Sequence, residues 1–359
     1  VKNWQGIESF LQLLALDGPS GHEDVVAEWI SERFSAAGLT VQRDALGNLL
    51  ARRPASSAGD GGPPTVLITA HMDEIGLMVS HIEAGGFLRF VPVGGVDPRT
   101  LPSAEVTVHG RRPFPGVIGS KPPHLSTPEE RKEAAGIDRL FIDLGLPESE
   151  VREWVRPGDP VTIRRHPQRL LDDRIAAKSV DNRASVAAVF ECIAQLSSHP
   201  LQVDVVFAAT VQEEVGVRGA ATAAYQIRPD LAVAVDVCHA RSPGVSTERT
   251  MGMGDGPAIQ FGPNIHPALF RSLTAATQAA GLPHQILVAQ GATGTDARVM
   301  QLCREGIPTA ALGIPIRYMH TSVETVQYQD IRRTGQLLAG WLKGLNRDVV
   351  EGFSCFFDV

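Results

Sequence analysis

The sequence predicts an α/β fold: a mixed, mostly parallel sheet flanked by helices, interrupted by an inserted β-rich, barrel-like domain. Three observations carry this expectation. Over residues 1–75 and 169–359, apolar runs of strand length alternate with helix-length segments, the pattern of a sheet covered on both faces. Over 76–168 short strand-like pieces broken by turn residues replace that pattern. Several apolar runs also end abruptly in His, Asp or Glu, and ligands of open α/β sheets gather at strand carboxyl ends.

Taken in order, Ser20 and Glu23 form an S-x-x-E capping box before Val26, Trp29, Ile30 and Phe34 at helical spacing. Gly38 falls where a left-handed C-terminal cap belongs. "LTVQRDALGNLLARR" reads as two short strands joined by a turn at Leu46-Gly47-Asn48, and "PASSAGDGGPP" (54–64) as an exposed loop. "TVLITAHMDEIG" (65–76) is a buried strand whose end opens onto a site. In the insertion, "FLRFVPVGG", "AEVTVHG", "PGVIGSKPPHL" and "DPVTIRR" read as strands and turns. One helix is expected there from "STPEERKEA", where Thr127 and Glu130 make a capping box around Pro128. Beyond residue 180 the spacing predicts helices over 182–196, 266–280 (closed by Gly281 and Pro283) and 329–344. Strands are expected over 203–211 and 231–237 and near 285–289 and 308–314.

Composition narrows the function. The 359 residues are 43% hydrophobic and 20% charged, ordinary for a globular chain of about two domains. A net charge of -7 argues against nucleic acid as the main partner, because phosphate binding needs a basic surface. No apolar run reaches the roughly 18 residues of a membrane span. Four scattered cysteines (Cys192, Cys238, Cys303, Cys355) without a C-x-x-C pair suggest reduced thiols in the cytoplasm. The opening "VKNWQGIESFLQLLALDG" lacks the pattern of a secretory signal, and Val1 in place of Met hints at a trimmed start.

The chemistry collects where apolar runs stop. His71 and Asp73 follow "TVLITA", Glu213 and Glu214 follow "FAATVQ", and Asp236 follows "LAVAV". Asp181 in "SVDNR" precedes a helix, and His320 in "RYMHTSVE" follows "TAALGIP". Converging carboxylates and imidazoles suit Zn, Co or Mn. If Asp181 bridges two divalent ions, His71 and Asp236 can complete one site, Glu214 and His320 the other. Three carboxylates and a bridging hydroxide then balance the two ions, which at about 3.5–4 Å apart activate that hydroxide and polarise a carbonyl. Glu213 is left over as a general base. Asp73, two residues past His71, points the same way in an extended chain and can fix the tautomer of that ring.

These residues and their surrounding motifs resemble metallopeptidase family forty-two: the tetrahedral (TET), glutamyl and deblocking aminopeptidases. The resemblance runs through "DGPSGHED", "AHMDEIGLMV", "GVIGSKPPHL", "FIDLG", "SVDNRASVAAV", "VQEEVGVRGA", "DVCHA", "GTDA" and "MHTSVE" in this order. It implies a two-metal peptidase fold with zinc or cobalt, acting on peptides from the free N-terminus. It also implies a cytoplasmic homo-oligomer, with 76–168 as the dimerisation domain and the dimers assembling into a tetrahedral dodecamer. By motif position His71, Asp181, Glu214, Asp236 and His320 are the implied metal ligands, Glu213 the base and Asp73 the orienting acid. Cys238 in "DVCHA" departs from the small polar residue expected there. Two other readings are a metal-dependent amidase or deacylase on N-acylated substrates, and a non-catalytic assembly protein of the same fold.

Other candidates read as structural. His22 belongs to a capped turn, His239 is a strand-end residue, and Cys238 is an inert thiol. Asp296 in "GATGTDARV" follows a Gly-rich loop without the lysine or spacing of a nucleotide site, so it is expected to organise a site wall. "KPPHL" reads as a rigid turn.

Overall fold

A computed structural model describes residues 4–57 and 62–353. Helices α1 (Ile7–Leu14) and α2 (Asp24–Ala36) precede the hairpin β1 (Thr40–Arg43) and β2 (Leu49–Arg53), then strand β3 (Thr65–His71). The chain next forms β4 (Gly76–Ile82), β5 (Leu88–Val93), β6 (Glu105–His109), β7 (Pro113–Ser120) and β8 (Leu140–Asp143). Helix α3 (Glu148–Trp154) and β9 (Pro160–Ile163) complete this stretch. These strands close a barrel in the order β4-β5-β8-β7-β6-β9 around buried Leu77, Phe90, Val106, Ile118 and Ile142. Closure leaves no open strand edge to pair with other chains.

The remainder returns to the first sheet. It comprises β10 (Gln168–Arg169), β11 (Arg174–Ala177), α4 (Val180–Leu196), β12 (Asp204–Thr210), α5 (Arg218–Ile227) and β13 (Leu231–His239). Next come β14 (Ala258–Phe261), α6 (Pro267–Ala279), β15 (Gln285–Val288), α7 (Ala297–Met300) and β16 (Thr309–Arg317). Last are β17 (Glu324–Gln327), α8 (Tyr328–Lys343) and α9 (Arg347–Glu351). The order β1-β2-β12-β3-β13-β16-β17-β11-β10 forms the main path of an eleven-stranded sheet, with β14 and β15 attached through β16. Its centre, β12-β3-β13-β16, is parallel, while both flanks are antiparallel. Alternation along β3 sorts its side chains. Val66, Ile68 and Ala70 join the core that includes Phe190 of α4 and Leu338 of α8; Leu67 joins the opposite core with Ala223 of α5 and Met300 of α7.

The helices and strands expected beyond residue 180 appear at their places, and Gly38 takes a left-handed φ of 82° after α2. Two local expectations are corrected. The Ser20–Glu23 capping box does not form: Ser20 Oγ donates to Asp73 at 2.6 Å, and α2 starts one residue after Glu23. A charged acceptor outcompetes a backbone cap because charge-assisted bonds are the stronger kind. The Thr127–Glu130 box does form, Glu130 N donating to Thr127 Oγ1 at 3.2 Å and Thr127 N to Glu130 Oε2 at 2.7 Å. Only a 3₁₀ turn follows at Glu130–Lys132, with no buried residue, and the helix of this region is α3, which buries Val151. A short helix without a face to bury lacks the packing that sustains it. Part of the 54–64 loop (58–61) and Cys355 lie outside the described residues. Among the described residues no helix is long and apolar enough to cross a membrane.

Candidate metal centre

The parallel strands deliver the site. β3 ends on His71, β13 carries Asp236 near its end, and Glu213 and Glu214 lie in the turn after β12. Asp181 occupies the first turn of α4, where it and Asn182 depart from helical angles. His320 lies between β16 and β17 with φ 63°. All five expected ligands come together, in two overlapping groups that share one residue. His71, Asp181 and Asp236 form the first and Asp181, Glu214 and His320 the second; within each, the ligand atoms lie within 4.8 Å of one another. Asp181 Oδ1 is 3.2 Å from His71 Nε2 and its Oδ2 is 3.5 Å from His320 Nε2. Asp236 Oδ1 stands 3.9 Å from His71 Nε2, and Glu214 Oε2 3.4 Å from His320 Nε2.

Asp73 sits behind this group, fully buried, with Oδ1 3.3 Å from His71 Nδ1. It also accepts from Ser20 Oγ and from the backbone N–H of Glu213 (3.1 Å) and Glu214 (3.2 Å). The backbone carbonyl of Asp73 lies 3.2 Å from the same Nδ1, so both acceptors of this residue face the His71 ring, while its carboxylate also gathers the turn that carries both glutamates. With Nδ1–H held at Asp73, Nε2 is the nitrogen turned toward Asp181 and Asp236, and it would ligate an ion that took the place of its proton.

Charge is crowded here. Burial pushes the Glu213 carboxyl up to about 8, with the field of His71 opposing and those of Asp296, Glu214 and Asp181 adding to the rise. Burial likewise drives Asp236 well above the ordinary carboxylate range. Burial works against charge on Asp181 too, yet hydrogen bonds from His320 and His71 prevail and hold its carboxyl low. Hydrogen bonds to Asp181 and Glu214 raise His320 to about 11. Buried acids require compensating positive charge, and two overlapping O/N donor sets around one shared carboxylate fit divalent cations.

Sequence reasoning missed several supports. Glu324, buried beneath the site, accepts from the backbone N–H of Asp181 at 2.9 Å and of His320 at 2.7 Å. It closes the quoted motif "MHTSVE", the one signal available for it. The carbonyl of Gly95, in the β5–β6 connection of the barrel, lies 3.0 Å from His320 Nδ1. Behind β3, Lys178 Nζ reaches Glu74 (2.7 and 2.9 Å), Asp17 (2.9 Å) and the Leu16 carbonyl (2.9 Å). Fully buried Arg183 adds a contact to Glu74 at 3.3 Å. Asp296 is buried and accepts from Thr210 Oγ1 at 2.8 Å, outside both groups. Cys238 is buried with its thiol pushed up by that burial, while His22 and His239 are exposed.

Comparison with known proteins identifies the family and agrees with this fold. The family model for M42 glutamyl aminopeptidases matches residues 47–337. The chain is 36% identical over 347 residues to a lysyl aminopeptidase of Pyrococcus furiosus, covering 94% of this chain and 97% of that one. A solved aminopeptidase from Desulfurococcus kamchatkensis superposes with a TM-score of 0.89 at 36% identity, 97% of each chain being covered. The TET1 peptidase of Pyrococcus horikoshii, described as assembling into a tetrahedron or a large octahedral shell, gives a TM-score of 0.83 at 33% identity, over 94% of this chain and 99% of that one. Fold and site thus define an aminopeptidase, a hydrolase of peptide bonds. The chain belongs to the M42 glutamyl aminopeptidase family.

Proposed function

We propose that the protein is a two-metal aminopeptidase that removes N-terminal residues from peptides. The sharing of Asp181 between two ligand groups carries this reading. His71, Asp181 and Asp236 would hold one divalent ion, and Asp181, Glu214 and His320 the other, with zinc or cobalt matching the donors. Bound ions of this kind lower the pKa of water and polarise a scissile carbonyl. Glu213 belongs to neither group, and its Oε2 lies 4.0 Å from His71 Nε2. It takes the proton of the attacking water and passes it to the leaving amine, while Asp73 keeps His71 in its ligating tautomer.

The proposal extends to assembly. Residues 1–75 and 169–359 form the catalytic unit, and the barrel of 76–168 is the dimerisation domain of a cytoplasmic tetrahedral dodecamer assembled from dimers. The shell-forming relative supports this reading, and a monomeric mass in solution would contradict it. The catalytic proposal is tested with matched peptides carrying free or acetylated N-termini. Release of the first residue is expected from the free peptide alone. Removal of the acetyl group instead would establish a deacylase.

A further inference from the structure

The two imidazoles of the site are held differently. His71 is 2% exposed and is oriented by Asp73, which lies on the same strand exit. His320 is 32% exposed, and the nearest acceptor for its Nδ1 is the Gly95 carbonyl, 225 residues away and in the barrel. The fit at Gly95 is close: a Cβ there would stand 2.5 Å from His320 Nδ1. Its neighbour Gly94, at φ +80°, would place a Cβ 3.2 Å from the Cβ of Glu214. From the other side, the two oxygens of Glu324 divide between the backbone N–H of His320 and that of Asp181.

We propose that Gly95 and Glu324 are positioning residues for the ion site of Asp181, Glu214 and His320, so that the barrel supplies part of the metal centre. The Gly95 carbonyl accepts Nδ1–H of His320 and leaves Nε2 as the ligating nitrogen. Glu324 sets the spacing between the bridging acid and the second imidazole. The absent side chain at Gly95 answers to space, because its φ lies outside the left-handed range while a Cβ would meet the His320 ring. This inference rests on the two-metal reading, and its test separates the two.

Metal-free protein is titrated with Co²⁺, and bound equivalents are followed by calorimetry and by the visible absorption of the ion. Wild type is expected to bind two equivalents; a single equivalent there would remove the two-metal reading before any variant is made. Gly95→Ala is expected to bind one equivalent unchanged and the second at least about tenfold more weakly. Glu324→Gln, which also touches the shared Asp181, is expected to weaken both equivalents, and unchanged affinity for both would overturn its role. Two equivalents of unchanged affinity in Gly95→Ala would overturn the role of the barrel. A readout on the unaltered protein guards against a misfolded variant. With ¹⁵N-labelled histidine in the metal-loaded wild type, His320 should show a protonated Nδ1 in slow exchange with water. An unprotonated Nδ1 would overturn the proposal.

Discussion

Glu213 and Glu214 are neighbours in the chain, yet their carboxylates face different histidines. Glu214 Oε2 lies 3.4 Å from His320 Nε2, and Glu213 Oε2 lies 4.0 Å from His71 Nε2. The backbone N–H groups of both donate to Asp73, which holds the turn in this split arrangement. The two residues should therefore fail differently. Glu213→Gln is expected to lower kcat by about 10²–10⁴-fold, the usual contribution of a general base, while bound metal stays constant. Glu214→Gln should lose metal as well as activity. Rate and metal content measured on the same samples distinguish the two, and full activity of Glu213→Gln would exclude it as the base.

Asp73→Asn keeps the size of the side chain and removes its charge. Loss of a partner that orients a metal-bound imidazole typically weakens the metal by about 10–100-fold. A shift of that size is expected in competition against a chelator of known affinity. An unchanged affinity would show that the contact of Asp73 with His71 does not govern binding.

Chelation should abolish release of N-terminal residues, and added Zn²⁺ or Co²⁺ should restore it. The thermal midpoint should rise with metal concentration, since a ligand at about 100 times its Kd adds roughly 2.7 kcal/mol of stability. Turnover that survives exhaustive chelation would count against a metal centre.

Lys178→Met tests the buried ion network outside the site. It leaves Glu74, 4% exposed, with Arg183 as its remaining cationic contact. Breaking a buried pair by removing one partner costs about 3–5 kcal/mol. Denaturant unfolding is expected to show a loss of that size; a change below about 1 kcal/mol would mean that Arg183 compensates.

The candidate ligands His71 and Asp236 are legible because each stands where an apolar run stops. "TVLITA" before His71 and "LAVAV" before Asp236 announce buried strands, and a polar residue at such an end needs a purpose. The contacts between distant segments were not legible. Ser20 carries the local pattern of a cap, but its partner is Asp73, 53 residues away. Strands β11 and β17 are four residues each and pair with one another across about 150 residues, so no local periodicity marks them. Gly95 shows nothing in sequence that points to His320; its role depends on where the barrel comes to rest. Helix α5 is short, and four of the five residues on its buried face are glycine or alanine, so few large apolar residues mark its period.

The cluster of Lys178, Arg183 and Glu74 holds the segments behind the site together. These side chains tie the loop after α1, the exit of β3 and the first turns of α4 with charges belonging to the polypeptide itself. In zinc fingers the ion is the keystone, and the domain collapses when it is withdrawn. Here the frame carries its own cations, Lys178 and Arg183, so a chelator is expected to stop turnover without unfolding the chain.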